Sequence, residues 1–447
     1  MPRLGRAAIP LLSVLPLVLI MARSDAQPLP RGQQWVASWA ASPHGPYPSG
    51  NALAQPVLDF AIESPQGGAV DQTFRLIVRP DLWGTRVRLR FANTFGTQPV
   101  TFDEVFVGLQ GLGANVATGT NRRVTFHQGS RSVGLAAGQS TFSDPVALPF
   151  VARFEPQMLV GRRLAVSFHT AGSTGPMTWH AKALQTSYLT APKSGAHGAD
   201  ETDAAFAFTT TSWFFLDAVD VMAPSGTMVV ACFGDSITDG TGSTLNGDDR
   251  WPDVLSTRLH RVHGKQVSVV NAGIGGNRIT GPESYSSAAS FAGGPSALDR
   301  LQRDVVGLSG LTTVVWLEGI NDLSAGATVE AIISGMREGV KRLRSRTGLR
   351  IIGATITSAL GAASAAGTPE VDAKRQTINA FIRTGDLFDG VADFDAVTRD
   401  PQTGRLRASF QPSSTIGGPG DGLHPNRAGY QAMGNAVDLA QLSARKP

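Results

Sequence analysis

Four short segments in the second half of this 447-residue chain carry groups that could do chemistry together. Gly234-Asp235-Ser236 offers a hydroxyl. Asn271-Ala272-Gly273-Ile274-Gly275-Gly276-Asn277 offers backbone N–H groups that a ligand can approach closely. Gly319-Ile320-Asn321-Asp322 offers a side-chain amide, and Asp421-Gly422-Leu423-His424-Pro425 an imidazole with a carboxylate beside it. A serine hydroxyl is a weak nucleophile and needs a base. His424 could take the Ser236 proton, and Asp421 could accept from the other ring nitrogen and orient it. A tetrahedral oxyanion needs donors fixed before reaction. The Ser236 N–H near a helix start, the Gly276 N–H and the Asn321 amide are the candidates. This chemistry is acyl transfer through a serine, and it requires no metal or organic cofactor.

Such residues are useful only if the fold gathers them. After Pro224-Ser225-Gly226, apolar runs at 228–233, 267–270, 312–317, 350–356 and 391–394 alternate with helical patterns. Trp251, Val254, Leu255, Leu259 and Val262 mark one helix face. Leu298, Leu301, Val305 and Leu308 mark another, with Ser296 as N-cap and Asp299 three residues on. Val329, Ile332, Ile333, Met336, Val340 and Leu343 mark a third, and Ile378, Phe381 and Ile382 a fourth. Residues 426–442 read as a closing helix. The alternation predicts a parallel sheet covered on both faces. The first three segments each follow a strand directly. In an open parallel sheet, residues past the strand ends meet along one edge, so Ser236, Gly276 and Asn321 should converge there. The loop before the last helix can bring His424 to the same edge.

The first half is different. Stretches 73–78, 85–91, 105–107 and 163–168 alternate or run apolar as strands do, and Gly, Pro, Asn and Ser punctuate them. No amphipathic helix is evident between about 30 and 220. This half reads as a β-sandwich or jelly-roll-like domain. The expected organisation is a leader over 1–26, a β-rich accessory domain over 27–225 and an α/β domain over 226–447.

The four blocks, in order and three of them at strand ends, resemble the SGNH hydrolase superfamily, the GDSL esterases and lipases. The resemblance covers roughly 226–442. It implies a flavodoxin-like three-layer α/β/α domain. It also implies Ser236 as nucleophile, Gly276 and Asn321 as oxyanion donors beside the Ser236 amide, His424 as base and Asp421 as its orienter. The β-rich first half lies outside the family's minimal domain. With Trp35 and Trp39 near its start, it looks like that of secreted bacterial members.

The N-terminus supports export. Arg3 and Arg6 precede an apolar stretch from Ala7 to Ala22, about 16 residues and short of the roughly 20 a bilayer span needs. Ser24-Asp25-Ala26 then offers small residues for cleavage before Gln27. The formal charge of +4 is spread over 39 basic and 35 acidic residues with no dense basic run, so nucleic-acid binding has no footprint. Cys232 is the single cysteine, which excludes an intramolecular disulfide and reads as a buried small hydrophobe.

Several neighbours carry blander readings. Asp235 should orient its loop, Gly273 and Gly275 should supply positive φ, and Asn277 and Arg278 should be solvated or touch substrate. Asp322 should brace a loop, and Glu318 should form a structural ion pair. His260 and His263 read as surface residues. Trp179-His180 should be packed, and Trp213-Phe214-Phe215-Leu216 should be a core strand. The expected activity is a secreted or periplasmic serine carboxylic-ester hydrolase on a small-molecule or polysaccharide ester, without nucleic acid and without stable membrane insertion. Acetyl and short-chain esters are favoured, and the β half could hold a glycan. The alternatives are a lipase or phospholipase, or a non-catalytic carbohydrate-binding protein on the same scaffold. No Gly-x-Ser-x-Gly elbow occurs, which excludes an α/β-hydrolase.

Overall fold

The computed structural model describes residues 29–443, so the expected leader lies outside the described residues. From Gly32 onward the chain forms one compact unit. Its antiparallel part is built on β1 (Gln33–Ala40), β2 (Val70–Val78), β3 (Arg86–Ala92), β4 (Val100–Leu109), β5 (Leu164–Ser173) and β6 (Leu216–Pro224). One sheet runs β1-β6-β3 and a second has β2-β5-β4 at its centre, each extended by shorter strands. The two lie face to face, because Phe91 of β3 meets Phe102 and Phe168 of the other sheet at ring-centroid distances of 5.1 and 5.2 Å. A sandwich core of interdigitating aromatics follows from the period-2 alternation of the strands. The expected strand 213–216 is interrupted, since Phe215 takes a φ of 58° between Trp213–Phe214 and β6.

The architecture changes between Pro224 and Met228. Five strands follow: β7 (Met228–Gly234), β8 (Val267–Gly273), β9 (Thr313–Leu317), β10 (Arg350–Ala354) and β11 (Gly390–Ala392). They pair in parallel in the order β8-β7-β9-β10-β11, the flavodoxin-like order with its switch point between β7 and β9. Both faces are covered. Val230 and Cys232 of β7 share a cluster with Trp251, Leu255 and Met433, while Val229, Ala231 and Phe233 pack with Leu301, Ile332, Met336 and Ile378. Successive strand residues face opposite layers, which is why these runs are apolar throughout.

The helices that cover the sheet and carry the site include α1 (Ser236–Asp239), α2 (Trp251–His263), α3 (Ala297–Leu301), α4 (Ile320–Ser324), α5 (Val329–Arg344), α6 (Pro369–Thr384) and α7 (Arg427–Ala436). Ser296 does cap α3, its Oγ accepting from the Asp299 N–H at 3.1 Å. The helix then widens into a π turn over Gln302–Val306. The closing helix is shorter than expected. It stops at Ala436, Val437 turns extended, and only a single turn follows at Leu439–Gln441.

The two architectures share a core and polar ties, and the chain passes from one to the other through a short exposed turn at Pro224, Ser225 and Gly226. β1 runs beside β8, where Ser268 Oγ donates to the Ala37 carbonyl at 2.7 Å. His260, expected at the surface, is one of these ties. Its Nε2 lies 2.9 Å from Asp81 Oδ2 and its Nδ1 2.7 Å from the Gly264 carbonyl. Burial works against its cationic form, but Asp81 outweighs it and raises the His260 pKa.

Candidate active site

β7 ends at Gly234, level with Gly273 of β8 and Leu317 of β9. The strand ends thus put Ser236, Gly276 and Asn321 two, three and four residues past a common line. Asp235 caps α1, its Oδ1 accepting the Ile237 N–H at 2.9 Å. Ser236 is then the first residue of that helix, where an N–H has no intrahelical acceptor. Among the described residues no protein acceptor meets it. Ser236 itself is 6% exposed.

Its hydroxyl lies 2.8 Å from His424 Nε2, across 188 positions of sequence. His424 Nδ1 is 2.5 Å from Asp421 Oδ2. The other carboxylate oxygen accepts the backbone N–H of Leu423 and of His424, each at 2.9 Å. Nδ1–H therefore donates to Asp421, which leaves Nε2 as the acceptor for the Ser236 O–H. Burial opposes ionisation of Asp421, but the His424 ring and these two N–H groups prevail and hold its pKa well below the carboxylate range.

The Gly276 N–H likewise has no protein acceptor among the described residues. Gly276 sits at φ 83°, the left-handed region a side chain resists. Asn321 Nδ2 donates to the Asn277 carbonyl at 2.9 Å, which joins the third loop to the second. An amide nitrogen carries two hydrogens, so a second donor remains.

The neighbouring glycines differ from expectation. Neither Gly273 nor Gly275 has positive φ; the left-handed turn belongs to Gly276. Crowding explains them instead. A Cβ at Gly273 would come within 2.3 Å of the Asp239 nitrogen, and one at Gly275 within 2.8 Å of Lys182 Nζ. Asn277 is neither solvated nor free to touch substrate. It is fully buried, donating to the Gly293 and Pro295 carbonyls at 2.7 and 2.8 Å. Arg278 instead stacks over Phe291 at 4.6 Å. Asp322 braces this loop by accepting the N–H groups of Ile279 and Thr280, both at 2.9 Å.

Beneath the site lies a buried guanidinium that the sequence reading did not single out. Arg300 donates to the Gly234 and Ala272 carbonyls at 2.9 and 2.8 Å and to Asn277 Oδ1 at 2.7 Å. It thereby ties the ends of β7 and β8 to the glycine loop. It also meets Asp304 at 3.2 Å and Glu318 at 3.3 Å. Glu318 lies against Arg300, as expected, but it does not carry the countercharge. Asp304, held between Arg300 and Arg303, already answers the charge. Burial, with Asp235 nearby, pushes Glu318 well above the usual carboxylate range.

The antiparallel half also reaches the site, through residues whose role the sequence reading missed. Asn51 Nδ2 donates to the Gly275 carbonyl at 2.9 Å. Asp239 Oδ2 accepts the Gly275 N–H at 2.8 Å, and its other oxygen lies 3.1 Å from His180 Nε2. Lys182 Nζ donates to Thr241 Oγ1. His180 and Lys182 had a readable signal: charged types inside the apolar run from Met177 to Leu184 are costly unless paired. Asn51, in an exposed loop, had none.

Residues 232–432 match the family described as "GDSL-like Lipase/Acylhydrolase family". Among curated proteins none matches. Solved structures similar to the chain include a putative arylesterase from Agrobacterium tumefaciens str. C58, 22% identical with a TM-score of 0.36, covering 47% of this chain and 95% of its own. Another is a carbohydrate acetylesterase family member from Sinorhizobium meliloti, 20% identical with a TM-score of 0.36, covering 47% of this chain and 94% of its own. A putative lipolytic protein of the G-D-S-L family from Desulfitobacterium hafniense DCB-2 is 19% identical with a TM-score of 0.34, covering 47% of this chain and 97% of its own.

Proposed function

We propose that the chain is an exported serine carboxylic-ester hydrolase acting on acetyl or other short-chain esters. One observation carries the reading: the unbroken relay Ser236–His424–Asp421, at 2.8 and 2.5 Å, beside N–H groups without protein acceptors. The match of residues 232–432 to a hydrolase family supports the reaction class.

The steps follow from the hydrogen bonds. His424 Nε2 accepts the Ser236 proton as Oγ attacks the ester carbonyl. Asp421 holds the ring in the tautomer that makes this possible and stabilises the imidazolium that forms. The carbonyl oxygen becomes an oxyanion facing the N–H groups of Ser236 and Gly276 and the Asn321 amide. Each such donor typically lowers the barrier by roughly 3–4 kcal/mol. The imidazolium gives its proton to the leaving alcohol, which departs and leaves an acyl-serine. Water, losing a proton to His424, then attacks that ester; the acid leaves and Ser236 recovers its proton.

A small, polar acyl group suits the surroundings. The nucleophile is nearly buried, and Asn51, Lys182, Thr241 and Asn321 stand around its loops. Export rests on the sequence of residues 1–26. Ser236→Ala should keep the fold and lose turnover of p-nitrophenyl acetate, and unchanged turnover would sink the mechanism. A panel of p-nitrophenyl esters of rising chain length, acetylated xylan and a phospholipid separates the acetyl-ester reading from a lipase.

A further inference from the structure

We infer that Asn51, from the antiparallel half, is a positioning residue for the oxyanion donor Gly276 N–H. The inference rests on the serine-esterase reading above and adds to it a residue outside the matched segment 232–432.

One peptide unit links Asn51 to the oxyanion donor. The carbonyl of Gly275 and the N–H of Gly276 belong to the same planar amide, and in a trans amide they point in opposite directions. Whatever holds that carbonyl therefore aims that N–H. Asn51 Nδ2 donates to the Gly275 oxygen at 2.9 Å. The preceding amide is fixed too, because the Gly275 N–H goes to Asp239 Oδ2 at 2.8 Å. With both ends of Gly275 held, the unit cannot rotate without breaking a hydrogen bond. The Gly276 N–H is left with no protein acceptor among the described residues. It is a donor fixed in direction with nothing yet to donate to, as transition-state stabilisation requires. A hydrogen bond to the carbonyl also polarises the amide and strengthens its N–H as a donor.

The fit is close. A Cβ at Gly276 would stand 2.8 Å from Asn51 Nδ2, so the loop leaves room for this contact by having no side chain there. The loop bearing Asn51 is itself anchored, since Trp179 Nε1 donates to the Ser49 carbonyl at 2.9 Å. Asn51 is otherwise exposed, and the Gly275 carbonyl is the one hydrogen-bond partner its side chain has among the described residues. That combination separates its positioning role from any large role in stability.

The test compares the full-length protein with Asn51→Ala and Asn51→Asp on p-nitrophenyl acetate. A tetrahedral adduct former, phenylboronic acid, serves as transition-state analogue. The expected result is a fall in kcat of about tenfold for Ala, from losing part of one donor's effect. Asp, whose carboxylate repels the Gly275 oxygen, should lose more. KM should stay within about twofold and Tm unchanged, and phenylboronic acid affinity should fall in step with kcat. An unchanged kcat in an active protein overturns the inference and leaves the esterase reading standing. So does a parallel loss of kcat and Tm, which marks a structural role. A wild-type protein that neither hydrolyses the ester nor binds the boronic acid overturns both.

Discussion

The two walls of the candidate site are built in opposite ways. The wall behind Ser236 and Gly276 is buried and tied together by long-range bonds. Arg300 and Glu318 have side chains with no exposure, and Asn277 and Asp322 are almost fully covered. The wall carrying His424 is a short loop whose bonds are local. Asp421 is 54% exposed, its partners lie two and three residues away, and His424 is 16% exposed. Removing a group from the first wall should unfold the site. Removing one from the second should silence it and leave the fold alone.

The largest expected effect is on the exposed wall. His424→Ala should lower kcat by roughly 10⁴-fold or more, because nucleophile and base act as a unit. Urea unfolding should give a midpoint close to wild type. A variant that loses both activity and midpoint would erase the contrast. On the buried wall, Arg300→Met should cost about 3–5 kcal/mol, since it removes three buried hydrogen bonds, to the Gly234 and Ala272 carbonyls and to Asn277 Oδ1, while Asp304 keeps Arg303. Denaturant curves measure this, and a loss under about 1 kcal/mol would remove Arg300 as the brace.

Asn321→Ala lies between the walls. It removes a candidate donor, at roughly 10²–10³-fold in kcat, and also the 2.9 Å bond to the Asn277 carbonyl, so a modest fall in midpoint should accompany it. Steady-state kinetics with a thermal melt checks both parts. The smallest effect is one of pH. Burial pushes the Asp235 carboxyl up to about 7. Its unfolded value is about 3.9, so the folded chain keeps a proton that the unfolded chain has lost, and stability from this group falls as pH rises from about 4 to 7. Asp421, depressed, has the opposite sign: its contribution is present above about 4 and lost below. Between pH 5 and 8, Asp235→Asn should gain on wild type by roughly 2–3 kcal/mol in denaturant unfolding. No difference in slope would show that Asp235 titrates normally.

The same contrast explains what the sequence could tell. Ser236 lies in a short motif at the end of a strongly apolar run, and Asp421 and His424 lie in one just before the closing helix, so period and spacing found them. The parallel sheet was legible because each of its strands is apolar on both faces. Asp235 as a loop orienter and Asp322 as a brace were readable from their places beside strand ends. Arg300 was not, because a basic residue on a helical pattern looks solvated until the fold buries it. Asn277 misled for the same reason, as a polar loop residue that turned out to be fully covered. The glycine loop was found, but its left-handed residue was misassigned, since sequence does not separate a glycine needed for φ from one needed for space. Asn51 needed the antiparallel half to be docked before it meant anything.

Ser236, with His424 as base, should react as an activated nucleophile. A fluorophosphonate incubated with the native protein and read by peptide mass tests it directly. One adduct per chain is expected, on Ser236, and none in the heat-denatured protein. No adduct on the folded protein, or an adduct on a different residue, would contradict it.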